Sequence, residues 1–247
     1  MEAIVTEYGA PAVRSRWMAT YPAQAIAQAI VALESFAFEE QAGTAQVIMT
    51  PVGVAALITP WNSDAGFICG KLATALAAGC TAVIKPSEMS GLQTQIITEA
   101  LHAADLPAGV FNIVNGTGAV VGEALTAHPD VAKISFTGSS AVGQHLVSAG
   151  AATMKRVTLE LGGKSPTVVL DDADFAAVMP LILQGGFMNS GQACVAGTRI
   201  LVPRHRLAEF EQAMLDAVSR IKSGDPREAD TDIGPMVSAR QWERVQG

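Results

Sequence analysis

Short, nearly continuous apolar segments alternate with helical segments from about residue 50 onward, and this alternation restricts the possible folds most strongly. The apolar segments are GVAALI (53–58), TAVIK (81–85), GVFNIV (109–114) and KISF (133–136). The stretches between them have the length and the small-residue faces of helices. Apolar strands that alternate with helices indicate βαβ units, in which helices cover both faces of a parallel sheet. The sequence therefore predicts an α/β fold with a doubly wound parallel sheet.

A second strand–helix series follows the first. It consists of RVTLEL (156–161), PTVVL (166–170), a helix over about 172–188, TRILVP (198–203) and a helix over about 205–221. The turn LGGKSP, with paired glycines and a proline, marks a passage between domains. We therefore expect four regions: an N-terminal helical part of the nucleotide-binding domain (1–33), an exposed hairpin suited to oligomerisation (34–50), a dinucleotide-binding domain (51–161) and a partial catalytic α/β domain (162–247).

Composition excludes several classes of partner. The net charge is −7 and no basic block is present, which argues against nucleic acid and anionic membranes as partners. The three cysteines show neither CxxC nor Cys/His spacing, so we predict no metal site, no disulfide framework and a reducing, cytoplasmic location. The longest apolar stretch, residues 66–83, is broken by Lys71 and glycines and is too short to span a membrane. No signal peptide is evident at the N-terminus.

FTGSSAVG (136–143) follows a strand and opens a helix. A glycine in such a turn lets backbone N–H groups approach a phosphate, and the helix N-terminus favours its negative charge. The GxxxxG spacing differs from the G-x-G-x-x-G fingerprint of dinucleotide-binding folds. Taken alone, the motif is better explained as an ordinary turn with Ser139 as the helix N-cap.

KPSE (85–88) ends another strand of the same series. Lys85 could donate to ribose hydroxyls, and Glu88 could accept from a 2′-hydroxyl while repelling a 2′-phosphate. Taken alone, this motif is better explained as a solvated charged turn capped by Ser87.

Two further strands end in polar residues that suit acyl chemistry. TPWN (59–62) closes GVAALI, and an asparagine there is either a turn former or a fixed donor for an oxyanion. Glu160 lies inside an apolar strand immediately before two glycines. Because a buried glutamate is rare unless paired, we expect desolvation to raise its pKa toward the range of a general base. A structural carboxylate with satisfied hydrogen bonds is the alternative.

FMNSGQAC (187–194) places Cys194 at the end of a helical run. Free cysteine is often a buried apolar residue. A nucleophilic thiolate instead needs a break in the chain that exposes it to a ligand. Cys194 alone does not decide between the two.

The order of these motifs along the chain decides between the two explanations. TPWN, KPSE, FTGSSAVG, LELGGKSP and FMNSGQAC, followed by DIGPM (232–236), resemble the aldehyde dehydrogenase superfamily in order and approximate spacing. The resemblance covers most of residues 50–236. It implies an NAD(P)-dependent enzyme that oxidises a small-molecule aldehyde to a carboxylic acid and forms a homo-oligomer when complete.

The resemblance also implies roles for individual residues. Cys194 is the nucleophile, Glu160 the base that activates water, and Asn62 forms the oxyanion hole with the backbone N–H of Cys194. The residues implied in cofactor binding are Trp61, Lys85, Glu88, Gly138, Ser139 and Leu161, with NAD preferred over NADP because of the Glu88 carboxylate. Lys71 matches a supporting lysine of the family, whereas Cys69 and Cys80 match no catalytic position.

The chain departs from the family pattern in two ways. Ser63 and Asp64 stand where an aromatic residue and a proline are common, so the aldehyde is not defined. Family members also extend beyond both ends of these 247 residues. Two functions therefore stay open: the central portion of an active dehydrogenase, or a catalytically silent fragment with weak dinucleotide binding or an association role. We expect little turnover from this length of chain alone.

Overall fold

The computed structural model describes residues 1–247 and divides into two compact units. The sheet unit is Trp17–Leu161, and the Cys194 unit is Met1–Arg16 together with Gly162–Gly247. The helices are α1 (Glu2–Tyr8), α2 (Ala12–Met18), α3 (Tyr21–Ser35), α4 (Asp64–Ala77), α5 (Gly91–Ala103), α6 (Glu123–Ala127), α7 (Ser140–Gly150), α8 (Phe175–Phe187), α9 (Leu207–Val218) and α10 (Ala239–Gln246). The strands are β1 (Glu39–Ala42), β2 (Ala45–Ile48), β3 (Val54–Ile58), β4 (Thr81–Lys85), β5 (Phe111–Ile113), β6 (Val131–Gly138), β7 (Arg156–Leu161), β8 (Pro166–Val168) and β9 (Arg199–Leu201).

The main sheet of the sheet unit has five parallel strands in the order β5-β4-β3-β6-β7. This confirms the predicted α/β fold with a parallel sheet. RVTLEL, which the sequence groups with the second strand–helix series, is β7 and pairs with β6 at the edge of this first sheet. Met1–Arg16 belongs to the Cys194 unit, whereas the sequence analysis places residues 1–33 with the nucleotide-binding domain.

Helices cover both faces of the sheet because its strands are apolar on both sides. On one face, Leu57 and Ile84 pack against Ile68 and Leu72 of α4, with α5 adjoining. On the other face, Ile134 and its neighbours pack against α6 and α7. Complete burial of one such side chain stabilises the fold by roughly 1.5–3 kcal/mol, so these two layers hold the strand ends at fixed positions.

Segment 34–50 holds the antiparallel hairpin β1–β2, whose side chains are all exposed. Helix α3, which precedes it, packs on α4. A side chain at Gly66 of α4 would overlap the ring of Tyr21, so the glycine allows the two helices to approach closely.

The Cys194 unit contains a short parallel pair, β8–β9, and the helices α8 and α9. Its core joins Phe175, Met179 and Ile182 of α8 to Phe210 of α9. The guanidinium of Arg206 lies 3.8 Å from the centroid of the Phe175 ring and covers the end of this core. Across both units, no helix has the length and apolar character needed to cross a membrane.

Candidate active site

The strand order of the main sheet creates one point where ligands are expected to bind. From β3 the chain proceeds to β4 and β5 on one side, and then returns to form β6 and β7 on the other side. The direction of winding therefore reverses between β3 and β6. In open α/β sheets, ligands bind outside the carboxyl ends of the strands at such a switch point.

The loop after β3 carries Trp61 and Asn62, both partly buried. The fully buried Asp64 holds this loop in place: its two carboxylate oxygens accept hydrogen bonds from Thr59 (2.5 Å) and Thr94 (3.0 Å). The carbonyl of Trp61 accepts from Ser90 Oγ at 3.5 Å. Asp64, noted in the sequence only as a departure from the family pattern, therefore ties the Asn62 loop to the start of α5.

The turn after β4 differs from the solvated turn considered for KPSE alone. Lys85 is 3% exposed, and its Nζ donates to the Pro86 carbonyl at 2.9 Å and to Glu88 Oε2 at 3.0 Å. The Glu88 side chain is about half exposed. Ser87 Oγ accepts from the Met89 N–H. A buried ammonium beside a half-exposed carboxylate leaves the Glu88 carboxylate accessible to a ligand at this edge.

The turn after β6 brings the start of α7 to the switch point. Ser139 is the N-cap of α7, and its Oγ accepts from the Val142 N–H at 3.4 Å, as the simpler explanation of this motif predicts. A side chain at Gly138 would overlap the Phe136 ring, so packing as well as ligand approach favours glycine. These two explanations are compatible, because a capped helix still presents its other first-turn N–H groups to an anion.

The two residues that end β7 point to opposite faces of the sheet. Leu161 packs under α7 with the core, and Gly143 permits this close contact. Glu160 is exposed, so the expectation that it is buried is wrong. The reason is its position: β7 is an edge strand of the sheet, and Glu160 lines a groove on one side of that strand.

A groove with both polar and apolar lining residues lies on this side of β6 and β7, and sequence reasoning did not find it. Its lining includes Lys71, Lys133, Ser135, Thr158 and Glu160. The Lys71 Nζ donates to Ser135 Oγ at 2.8 Å, and that of Lys133 to Thr158 at 2.6 Å. Burial lowers the pKa of Lys71 to about 8, and the nearby Glu160 carboxylate opposes that shift. The period-two polar pattern of KIS and TLE was the available signal for this groove.

Cys194 lies in the other unit, in a turn between α8 and β9, and is partly buried. The segment before it contains two consecutive residues in the left-handed region, Asn189 (φ 53°) and Ser190 (φ 57°). After it, the Gly197 N–H donates to the Gly185 carbonyl at 3.1 Å. The turn is thus fixed on both sides of the cysteine. By contrast, Cys69 is buried in the sheet unit, where desolvation raises the pKa of its thiol to about 11.

The sheet unit thus brings nearly all of the predicted site residues to the carboxyl edge of one sheet: Trp61, Asn62, Lys85, Glu88, Gly138, Ser139, Glu160 and Leu161. Cys194 belongs to the other unit. A parallel sheet with a capped helix start at its switch point defines an α/β protein of the dinucleotide-binding class.

The comparisons with known proteins narrow this class to one family. A family model described as the aldehyde dehydrogenase family matches residues 2–247. The chain therefore belongs to the aldehyde dehydrogenase family, as the motifs predict.

Individual relatives agree with this result. The chain is 43% identical over 247 residues to a 3-succinoylsemialdehyde-pyridine dehydrogenase from Pseudomonas sp., with 99% of this chain and 52% of that protein covered. Its fold matches that of aldehyde dehydrogenase C from Pseudomonas syringae, solved with NAD⁺ and octanal, with a TM-score of 0.94 and 45% identity over 99% of this chain and 50% of that chain. An NADP-dependent enzyme from E. coli matches with a TM-score of 0.93 and 35% identity, over 99% and 52% of the two chains. The chain spans about half the length of these relatives.

Proposed function

We propose that this chain supplies the cofactor-binding edge and the nucleophile of an NAD-dependent aldehyde dehydrogenase. The observation that carries the proposal is the placement of Asn62, Lys85 and the start of α7 along one carboxyl edge, at the switch point of a parallel sheet. Membership of the aldehyde dehydrogenase family supports the same reaction class.

The residues of the sheet edge fit a dinucleotide. The first-turn N–H groups of α7, capped by Ser139, suit a pyrophosphate, and Gly138 presents no side chain there. Lys85 and Glu88 offer one donor and one acceptor for an adenosine ribose. Trp61 and Leu161 are assigned to cofactor binding by family resemblance. When bound, NAD supplies the acceptor for the hydride that leaves the substrate.

In the proposed reaction, the Cys194 thiolate attacks the aldehyde carbon and forms a thiohemiacetal. The Asn62 side-chain amide and the Cys194 N–H donate to the oxygen that becomes negative. Loss of hydride leaves a thioester on Cys194. Glu160 then accepts a proton from the water that attacks the thioester, and a carboxylic acid and the Cys194 thiolate are released. The proton on Glu160 passes to solvent. Exposure of Glu160 at the sheet edge is compatible with access to water.

NAD is the proposed cofactor, in preference to NADP. The E. coli relative described as NADP-dependent shares the fold, so the fold alone does not decide between the two. The half-exposed carboxylate of Glu88 does favour NAD, because it would repel a 2′-phosphate at close range.

The test separates the steps assigned to Cys194 and Glu160. In the complete enzyme or any active form of this chain, Glu160→Gln is mixed with NAD and octanal, the aldehyde in the aldehyde dehydrogenase C structure, and its intact mass is measured over time. We expect an acyl adduct on Cys194 that persists, with a burst of NADH near one equivalent per site, because deacylation has lost its base. An activated ester serves as a second acyl donor that needs no hydride transfer. If the Glu160→Gln adduct from either donor is absent or decays at the unmodified rate, the assignment of Glu160 is wrong.

A second candidate function is association without turnover. Phe36, Phe38, Val47 and Ile48, in and beside the β1–β2 hairpin, are exposed apolar residues, and each strand of a two-stranded hairpin has an unpaired edge. We propose that this hairpin joins copies of the chain into a homo-oligomer. Sedimentation tests this by comparing Val47→Lys with the unmodified chain. An unchanged molecular mass would show that the hairpin does not join copies of the chain.

The three free cysteines support a cytoplasmic location, which we also propose.

A further inference from the structure

The bend that leads to Cys194 has an unfavourable backbone conformation. Asn189 and Ser190 both have positive φ angles, 53° and 57°. Left-handed conformations disfavour residues with a Cβ, and consecutive ones are uncommon; asparagine tolerates them better than serine. Such a bend persists only where surrounding contacts determine it. Both residues are at least nine-tenths buried, so water does not supply those contacts.

Two side chains from the N-terminal segment of the same unit donate hydrogen bonds to Asn189. Arg14 Nε donates to Asn189 Oδ1 at 2.7 Å, and the Tyr8 hydroxyl donates to the Asn189 carbonyl at 3.1 Å. Tyr8 is 2% exposed and Arg14 is partly buried. A charge-assisted hydrogen bond of this length in a partly desolvated site is stronger than a neutral one.

The next residues are held by a second set of bonds. Ser190 Oγ accepts from the Gly234 N–H at 3.0 Å, and Gln192 Oε1 accepts from the Val237 N–H at 3.1 Å. The Gln192 N–H donates to the Asn189 carbonyl at 3.0 Å, the same oxygen that Tyr8 reaches. The hydrogen bonds at Asn189 therefore fix the start of the loop that leads to Cys194.

We propose that Arg14 and Tyr8 are positioning residues for Cys194: they hold Asn189 in its left-handed conformation and so fix the start of the loop that carries the nucleophile. This inference rests on the proposed function only in naming Cys194 as the nucleophile. The hold on the loop is a property of the structure that can be measured without turnover.

The chain allows a matched pair of substitutions at position 14. Glutamine places its Nε2 at the same distance along the side chain as the arginine Nε, so Arg14→Gln keeps a donor for Asn189. Arg14→Met has a similar length without a donor. Arg16→Met, in the same helix at an exposed position, is the control for loss of an arginine.

Hydrogen exchange measured by mass spectrometry on the 247-residue chain tests the proposal. In Arg14→Met, we expect peptides covering 188–194 to exchange roughly tenfold faster, the effect of losing one charge-assisted hydrogen bond. Peptides from α8 and α9 should be unchanged. Arg14→Gln should restore most of the protection, and Arg16→Met should behave like the unmodified chain. If Arg14 only stabilised the unit as a whole, Arg14→Gln and Arg14→Met would not differ in exchange specifically within peptides covering 188–194.

A second readout and a second variant keep the test decisive. Alkylation of Cys194 by iodoacetamide should accelerate in Arg14→Met, while the buried Cys69 and Cys80 in the same sample stay protected. If Arg14→Met opens the whole unit, Tyr8→Phe decides, and its faster exchange must be confined to 188–194. Unchanged exchange there in Arg14→Met or Tyr8→Phe, or equal effects of Gln and Met, would overturn the proposal. Absence of an acyl adduct on Cys194 would refute the proposed function and leave these exchange results standing.

Discussion

The sheet edge and the Cys194 loop position their functional groups by different physical means. At the sheet edge, parallel register brings the residues after β3, β4, β6 and β7 to one side, and none of these strand ends has a non-glycine residue with positive φ. In the Cys194 loop, Asn189 and Ser190 adopt left-handed conformations that side-chain hydrogen bonds maintain. The sheet edge is therefore a product of topology and core packing, whereas the loop depends on a few polar contacts.

This difference predicts different responses to substitution. Changes at the sheet edge should alter ligand affinity while the edge keeps its shape, because the two hydrophobic layers beneath it are unaffected. Changes near the loop should alter local order first. The exception within the sheet unit is the Asn62 loop, which also depends on a buried polar group, Asp64.

The largest expected effect is from Cys194→Ala, which separates the two regions functionally. We expect complete loss of the acyl adduct with aldehyde and NAD or with an activated ester, because no thiolate remains to attack. The affinity for NAD, measured by calorimetry, should stay within about twofold, since the proposed cofactor site lies on the sheet edge and Cys194 belongs to the other unit. Cys80→Ala is the control and should keep the adduct. An adduct that persists in Cys194→Ala, on any residue, would contradict the assignment.

The next effect concerns stability. Asp64→Ala removes a fully buried carboxylate that accepts from two threonine hydroxyls. The Thr59 hydroxyl then needs another partner, whereas the Thr94 hydroxyl keeps the Ser90 carbonyl as an acceptor. We expect the free energy of unfolding to fall by about 2–4 kcal/mol, measured by urea denaturation. Thr94→Val removes only one of these bonds and should cost less. Equal stability of Asp64→Ala and the unmodified chain would show that the Asn62 loop does not depend on this contact.

The sequence predicted the sheet unit well because its signals are local and regular. Apolar runs such as TAVIK specify buried parallel strands whatever their neighbours are, and the motifs at their ends follow from that placement. The burial of Glu160 was predicted wrongly because the apolar character of RVTLEL does not reveal that β7 is an edge strand. The hydrogen bonds from Arg14 and Tyr8 to Asn189 join residues that are separated by 175 and 181 positions in the sequence. No local sequence pattern predicts such contacts.

A smaller effect is expected at Glu88, in the proposed cofactor site on the sheet edge. Glu88→Gln removes the negative charge and keeps the shape, so the preference for NAD over NADP should narrow by roughly threefold to tenfold. Calorimetric titration of both cofactors at low salt measures the ratio. Glu99→Gln, on α5 of the same unit, is the control for loss of one acidic charge. Equal affinities for the two cofactors in the unmodified chain would contradict the role of Glu88.

The smallest effect is a pH dependence that arises in the groove beside β6 and β7. Burial lowers the pKa of Lys71 from 10.5 to about 8, so between these two pH values the unfolded chain binds more protons at this position than the folded chain. The free energy of unfolding contributed by Lys71 must therefore rise as pH increases from about 8 to 10.5. Below this window the folded protein carries the full cost of a buried ammonium.

Denaturation at several pH values, compared between the unmodified chain and Lys71→Met, isolates this contribution, because other titrating groups cancel in the difference. Lys133→Met is the comparison variant, since Lys133 donates to Thr158 in the same groove. Its charge lowers the pKa of Lys71 less than burial does, so most of the slope should remain. A difference between the unmodified chain and Lys71→Met that is flat, or that falls with pH, would mean that Lys71 is solvated and that the groove does not desolvate it.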